Sequence, residues 1–202
     1  MSDFNFEWHG DHMAADFVNT LDERLSQQPE ERLSNYAALI DFTRQAGLID
    51  EQIAANLLRQ RDTPAAKAVW SAALAFREAL YQVLCAAIHQ ILADGEALAH
   101  VESIIREAGD ARHLSLDSSG FTWDWQEVDN PARPLWELAL AAEQLLLSEP
   151  FERIKKCAAD DCGVLFVDHS RAGGRRWCSM ADCGNRYKVQ TFRSNRKQVD
   201  QS

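Results

Sequence analysis

The sequence predicts a mainly α chain: a helical N-terminal domain with a small β-hairpin or sheet, followed by a small C-terminal module built around four cysteines. Three observations predict it. Apolar residues recur at three-and-four spacing through most of the first 150 residues. One stretch, HLSLDSSGFTWDWQEV, switches to alternation. Four of the five cysteines fall between residues 157 and 183 as two pairs with the same internal gap.

The helices follow in chain order. Ser34 is read as the cap of a helix that presents Tyr36, Leu39, Ile40 and Thr43 on one face and stops at Gly47. Asp50 starts another with Ile53 and Leu57, and Thr63-Pro64 opens the longest. The apolar line of that longest helix runs from Val69 through Phe76, Leu80 and Leu84 to Ile91 and is expected to end near Gly95. A further helix covers about Glu96 to Ala108 through Leu98, Val101 and Ile105, and Pro134 begins the last of this part. Between these two, Leu114 and Leu116 alternate toward Phe121, Trp123 and Trp125 around Ser-Ser-Gly, the pattern of a hairpin. FNFEW near the N-terminus alternates as well and is read as a strand able to join it.

Pro150 marks the expected division into residues 1–150 and 151–202, and charge supports it. The net charge of -10 hides 10 Lys and Arg against 25 Asp and Glu in the first part, and 11 against 6 in the second. Such asymmetry points to two modules with different partners. The start MSDFNFEW lacks the basic and apolar runs of a leader, and acids, Arg or His interrupt the apolar helical runs, so a cytoplasmic protein with no membrane partner is expected.

In a reducing compartment clustered cysteines hold metal more often than they form disulfides. Cys157-x4-Cys162, fifteen intervening residues, then Cys178-x4-Cys183 is the spacing of two knuckles that each give two thiolates to one tetrahedral zinc. A module of about fifty residues buries too little apolar surface to fold alone, so one structural Zn2+ supplies the missing stabilisation. Four thiolates leave no open position for activating water. Gly163 closes the first knuckle, VLFVD reads as a strand, HSRAGG as a turn, RRW as a returning strand, and a helix opens at about Met180 with Met180, Cys183 and Tyr187 facing inward. Together these give a treble-clef-like zinc finger. Cys85 lies in the long helix as a small apolar residue.

From His169 to Val199 a single acid, Asp182, stands among eight Lys and Arg. The candidate nucleic-acid contacts are Arg171, Arg175, Arg176, Asn185, Arg186, Lys188, Arg193, Arg196 and Lys197, because a basic turn beside a basic helix suits phosphate. Arg175 or Arg176 is the candidate for reading a base. Asn185 and Arg186 have a competing use, as hydrogen-bond donors around the metal site. A further competing use for the whole surface is docking on the acidic first part or on a protein partner.

The stretch SRAGGRRWCSMADCGNRYK resembles the CGNR zinc-finger family, whose four letters stand here as Cys183-Gly184-Asn185-Arg186. The early Phe17-Val18-Asn19-Thr20 resembles the start of the ABATE-type domain that members of this family carry. The resemblance implies a bacterial regulator of transcription induced by stress. His169 departs from it by standing where a small hydroxyl residue is expected, and it is assigned to the basic turn.

The functional expectation is a DNA-binding transcription regulator whose first domain senses a signal or mediates assembly. Trp8, Asn19, Trp123 and Trp125 are the candidates for lining a ligand pocket, with Trp136 nearby in the sequence pattern. A small-molecule inducer and a homodimer stay open. The alternative is a zinc-stabilised protein-interaction module that never touches nucleic acid. No enzyme is expected: the chain has no glycine-rich phosphate loop, no His-Glu-x-x-His and no recognisable nucleophile context.

Overall fold

The computed structural model describes residues 6–118, 120–189 and 191. Its first helix, α1 (Met13–Val18), starts where His12 Nδ1 accepts a hydrogen bond from the Ala14 amide at 3.2 Å. Ala14 to Val18 are all buried, so this short helix lies inside the molecule, against both helices and finger. A small ribbon follows, β1 (Leu21–Asp22) paired with β2 (Glu30–Glu31). Buried Arg77 ties it down, donating to both Glu31 carboxylate oxygens at 2.7 and 2.6 Å and to Thr20 Oγ1 at 3.1 Å.

Helix α2 (Tyr36–Gln45) is capped by Asn35 instead of Ser34, with Asn35 Oδ1 accepting from Ala38 N at 3.0 Å. Its expected face, Tyr36, Leu39, Ile40 and Thr43, is buried, and Gly47 at φ +72° ends it in the left-handed conformation. Asp50 caps α3 (Glu51–Leu58), and Thr63 caps α4 (Pro64–Ile88).

The long helix stops before Gly95. His89 is its C-cap, Gln90 takes φ +54°, and the chain turns away, leaving Ile91 and Leu92 in solvent. Gly95 instead opens α5 (Gly95–Asp110), which buries Ala97, Val101, Ile104 and Ala108. Leu98, expected on that face, is exposed: the small Ala97 and Ala108 take the contact side, where α5 packs on α4 and on α6 (Arg133–Leu147). By length and composition α4 is apolar enough to cross a bilayer, but it packs here as the helix on which α1, α2, α5 and α6 assemble.

Strands β3 (Arg112–Asp117) and β4 (Gly120–Trp125) form the expected hairpin, with Leu114 opposite Trp123 and Leu116 opposite Phe121. Among the described residues it is two-stranded. FNFEW does not extend it: within the described part, Phe6 meets the Phe42 ring edge-on at 5.1 Å and Trp8 stacks on it at 5.2 Å. Packing on α2 buries Phe6, which an added edge strand would leave outside.

After a short turn (Glu149–Arg153), β5 (Ile154–Lys156) pairs with β6 (Leu165–Val167), so the first knuckle is the connection of its own hairpin. Arg175-Arg176-Trp177 therefore is not a returning strand: β5 already occupies that pairing, and only Arg176 O accepts a backbone hydrogen bond, from Ala158 N. A wide helical turn (Met180–Gly184) leads into helix at 185–189. Alternation makes β6 a shared wall. Leu165 and Val167 join the main core, while Phe166 joins the four cysteines and Trp177.

Candidate metal centre

Cys157, Cys162, Cys178 and Cys183 are all buried, and their sulfurs lie within 4.8 Å of one another. The hairpin β5–β6 supplies the first pair, and the wide turn with the residue before Ser179, its cap, supplies the second. The Cys162 and Cys178 sulfurs are 3.8 Å apart, and those of Cys178 and Cys183 3.6 Å. A tetrahedron with zinc–sulfur bonds of about 2.3 Å has edges of about 3.8 Å. The site therefore fits one structural zinc ion, and four crowded thiols ionise together only around such a cation. His169 is not among the clustered donors; its Nε2 faces Asp11 O at 3.4 Å.

The letters after the last ligand serve the site. A Cβ on Gly184 would lie 2.8 Å from Met180 Sδ and 3.3 Å from Trp177 Cδ1. Asn185 Nδ2 donates to Ala181 O at 3.1 Å. Arg186 donates to the Cys183 sulfur and to Asp161 Oδ2, both at 3.1 Å. Arg186 thus braces a ligand sulfur while staying exposed, and Asn185 bonds its own helical turn and is exposed as well, so both keep donors that face solvent. Of the three residues expected to face inward, Cys183 is buried, while Met180 and Tyr187 are largely exposed, Tyr187 with its ring 4.8 Å from Trp177.

Arg175 is also committed elsewhere. It donates to Trp177 O at 3.0 Å and to Cys178 O, pairs with Asp11, and lies 4.3 Å from the Phe166 ring centroid. It ties the second cysteine pair to the first domain, with its side chain about 29% exposed. Arg171, Arg176 and Lys188 are exposed and form no ion pair among the described residues. Arg176 spreads over Trp177 and Tyr187, 5.1 and 5.7 Å from their ring centroids, beside the helix that carries Lys188. Arg193, Arg196 and Lys197 lie outside the described residues.

The turn bearing Arg171 is organised by residues the sequence pattern does not single out. Buried Asp168 accepts from Lys155 Nζ at 2.7 Å, and from the Ser170 and Arg175 amides at 2.9 Å each. Lys155, followed by the other donors, holds its carboxyl well below the usual carboxylate range. An acid at the edge of a basic run was the available signal.

The polar cluster at residues 7–12 forms the joint between domain and finger. Gly10 N donates to Asp16 Oδ1 at 2.6 Å, while Gly10 O accepts from Val167 N at 2.8 Å. A Cβ there would lie 2.7 Å from Asp16 N, so only glycine passes between α1 and β6. Burial pushes the Asp16 carboxyl up to about 6. Asn19 completes the joint, donating to Leu165 O at 2.8 Å and accepting from Leu165 N at 2.9 Å.

These contacts correct the expected ligand pocket. Asn19 is held by the finger backbone. Trp8 lies on Phe42, Trp125 is stacked on Trp136 with its Nε1 on Glu137 at 3.0 Å, and Trp123 stands on the outer hairpin. The four do not converge. Of the four only Asn19 lines the cleft of about 880 Å³ that opens between the parts, with Asp16, Asp22 and Arg24 on one side and Asp161, Asp182 and Arg186 on the other.

Comparison with known families agrees with this architecture. Residues 11–149 match the ABATE family, described as "Putative stress-induced transcription regulator", and residues 153–196 match the CGNR zinc finger. No curated protein matches the chain. The longer match spans more than half of the sequence, and the chain belongs to the ABATE family, with a CGNR zinc finger following the ABATE domain.

Proposed function

We propose that the protein is a DNA-binding transcription regulator in which the zinc finger meets the phosphate backbone and the helical domain, residues 1–150, holds and controls the finger. The observation that carries this reading is the division of labour among the finger's cations. Arg175 and Arg186 are engaged within the fold, whereas Arg171, Arg176 and Lys188 are exposed and have no ion pair among the described residues. Exposed guanidinium and ammonium groups that carry no ion pair among the described residues suit phosphate, and Arg193, Arg196 and Lys197 would add to them.

The zinc site works by holding shape and performs no chemistry, since its four sulfurs fill the coordination sphere. In this reading the protein acts in the cytoplasm, has no catalytic site, and answers a stress signal. The cleft between domain and finger is where a small-molecule inducer would touch both parts at once.

The test is binding of a fluorescent duplex of random sequence at low salt, by the full chain and by an Arg171→Ala/Arg176→Ala/Lys188→Ala variant. The wild type binds and the variant binds much more weakly. Failure of the wild type to bind any duplex would transfer the finger to a protein-interaction role.

A further inference from the structure

Directly paired residues of an antiparallel ribbon share a face. The register of β3 and β4 therefore puts Leu114 with Trp123, Leu116 with Phe121, and Arg112 with Trp125 on one side. His113 with Asp124 and Ser115 with Thr122 fall on the other. At its root the apolar side is part of the helical domain, where Trp125 stacks on Trp136 of α6 at 5.5 Å between ring centroids. Farther out it is uncovered: Leu114, Leu116, Phe121 and Trp123 are 59, 67, 77 and 54% exposed. A two-stranded ribbon is marginal in water without a second layer on its apolar side.

We propose that the second layer is the same hairpin of another copy of this chain, packed face to face about a two-fold axis. Area supports this. Two aromatic side chains and two leucines at these exposures offer roughly 450 Å² of apolar surface per copy. A standard interface takes about 800 Å² per partner, of which a little over half, again roughly 450 Å², is apolar.

Charge selects the occupant. At a net charge of -10 two copies repel over most of their surface, so they meet where acids are absent. The apolar side of the hairpin carries no acid, and its one charge, Arg112 at the root, lies 5.3 Å from the Trp123 ring centroid. A basic partner would be drawn to the acidic surfaces elsewhere on the domain and would find nothing to pair with here. An identical face offers apolar side chains to apolar side chains and leaves His113, Ser115, Thr122 and Asp124 in water, as a self-complementary two-fold contact requires.

Sedimentation equilibrium of the full zinc-loaded chain, across a micromolar concentration series, tests this. The expected mass is twice 22.8 kDa. A Phe121→Ser/Trp123→Ser variant sediments as the monomer with unchanged helical circular dichroism, because both side chains lie outside the core. An Ile91→Ser/Leu92→Ser variant, which removes comparably exposed apolar side chains from another place, keeps the dimer. A monomeric wild type throughout the series, a dimer that survives in the hairpin variant, or equal loss in both variants overturns the proposal.

Discussion

The helical domain and the finger are held by different forces, although they share a wall. In the domain, Phe17, Phe42, Phe76, Leu39, Leu80 and Leu138 are fully buried among one another, and apolar burial is enough to fix the helices. Among the described residues the finger's own cluster has Phe166 and Trp177 as its large buried side chains, packed with the four cysteines. Its attachment to the domain combines Leu165 and Val167 in the main core with polar ties from Asn19, Gly10 and Asp11. One half can therefore tolerate loss of any metal, while the other keeps β5 and β6 but loses its knuckles.

The largest effect should come from breaking the metal site. Structural zinc brings about 10 to 16 kcal/mol of apparent binding energy. Elemental analysis should give one zinc per chain. In Cys157→Ser or Cys183→Ser, hydrogen exchange should rise sharply around the knuckles and the Met180–Gly184 turn while α4 stays protected. Equal loss of protection in α4 would mean that the two halves do not stand on separate forces.

A smaller effect belongs to Asp16. Its folded-state carboxyl is raised from 3.8 to about 6 by burial. Between those values the native state holds the proton more tightly than the unfolded chain, so stability falls as pH rises through the window. At about 1.36 kcal/mol per unit, and with part of the change already complete at pH 4, the wild type should lose about 2 kcal/mol relative to Asp16→Asn between pH 4 and pH 7. Comparing the two proteins removes the acid sensitivity of the zinc site, which both share. Parallel stability curves would show that the native state does not penalise the carboxylate.

Smaller again is the joint itself. Asn19→Ala leaves the Leu165 amide and carbonyl without their partners, at a cost of about 1 to 3 kcal/mol. The loss should appear as faster exchange in β5 and β6, with zinc still bound. Release of zinc from this variant would instead make the joint part of the metal site.

How much of this was legible in the sequence depends on the range of the interaction. Asp50, Thr63 and the four cysteines act within a few residues or through a fixed spacing, and they stand where the pattern placed them. The end of α4 was hidden because Gln90 adopts the positive φ that glycine usually signals. Leu98 was misplaced because the contact face of α5 is chosen by small Ala97 and Ala108 against neighbouring helices. The roles of Asn19, Gly10 and Arg175 depend on segments more than a hundred residues apart in sequence meeting at β6, which no local pattern encodes. The tryptophans were grouped by composition, and composition does not say which faces converge.

The division among the finger's cations is the centre of the functional account, and the salt dependence of duplex binding tests it most directly. Each phosphate contact contributes about -0.9 to the slope of log K against log salt. Replacing Arg171, Arg176 and Lys188 with Ala in the zinc-loaded full chain should flatten the slope by about 2.7, the sum of three contacts. Arg175→Lys, which keeps the charge of a residue already clamped against Asp11 and Phe166, should leave the slope unchanged. An unchanged slope in the triple variant would contradict the account, because it would place the phosphate contacts on other residues.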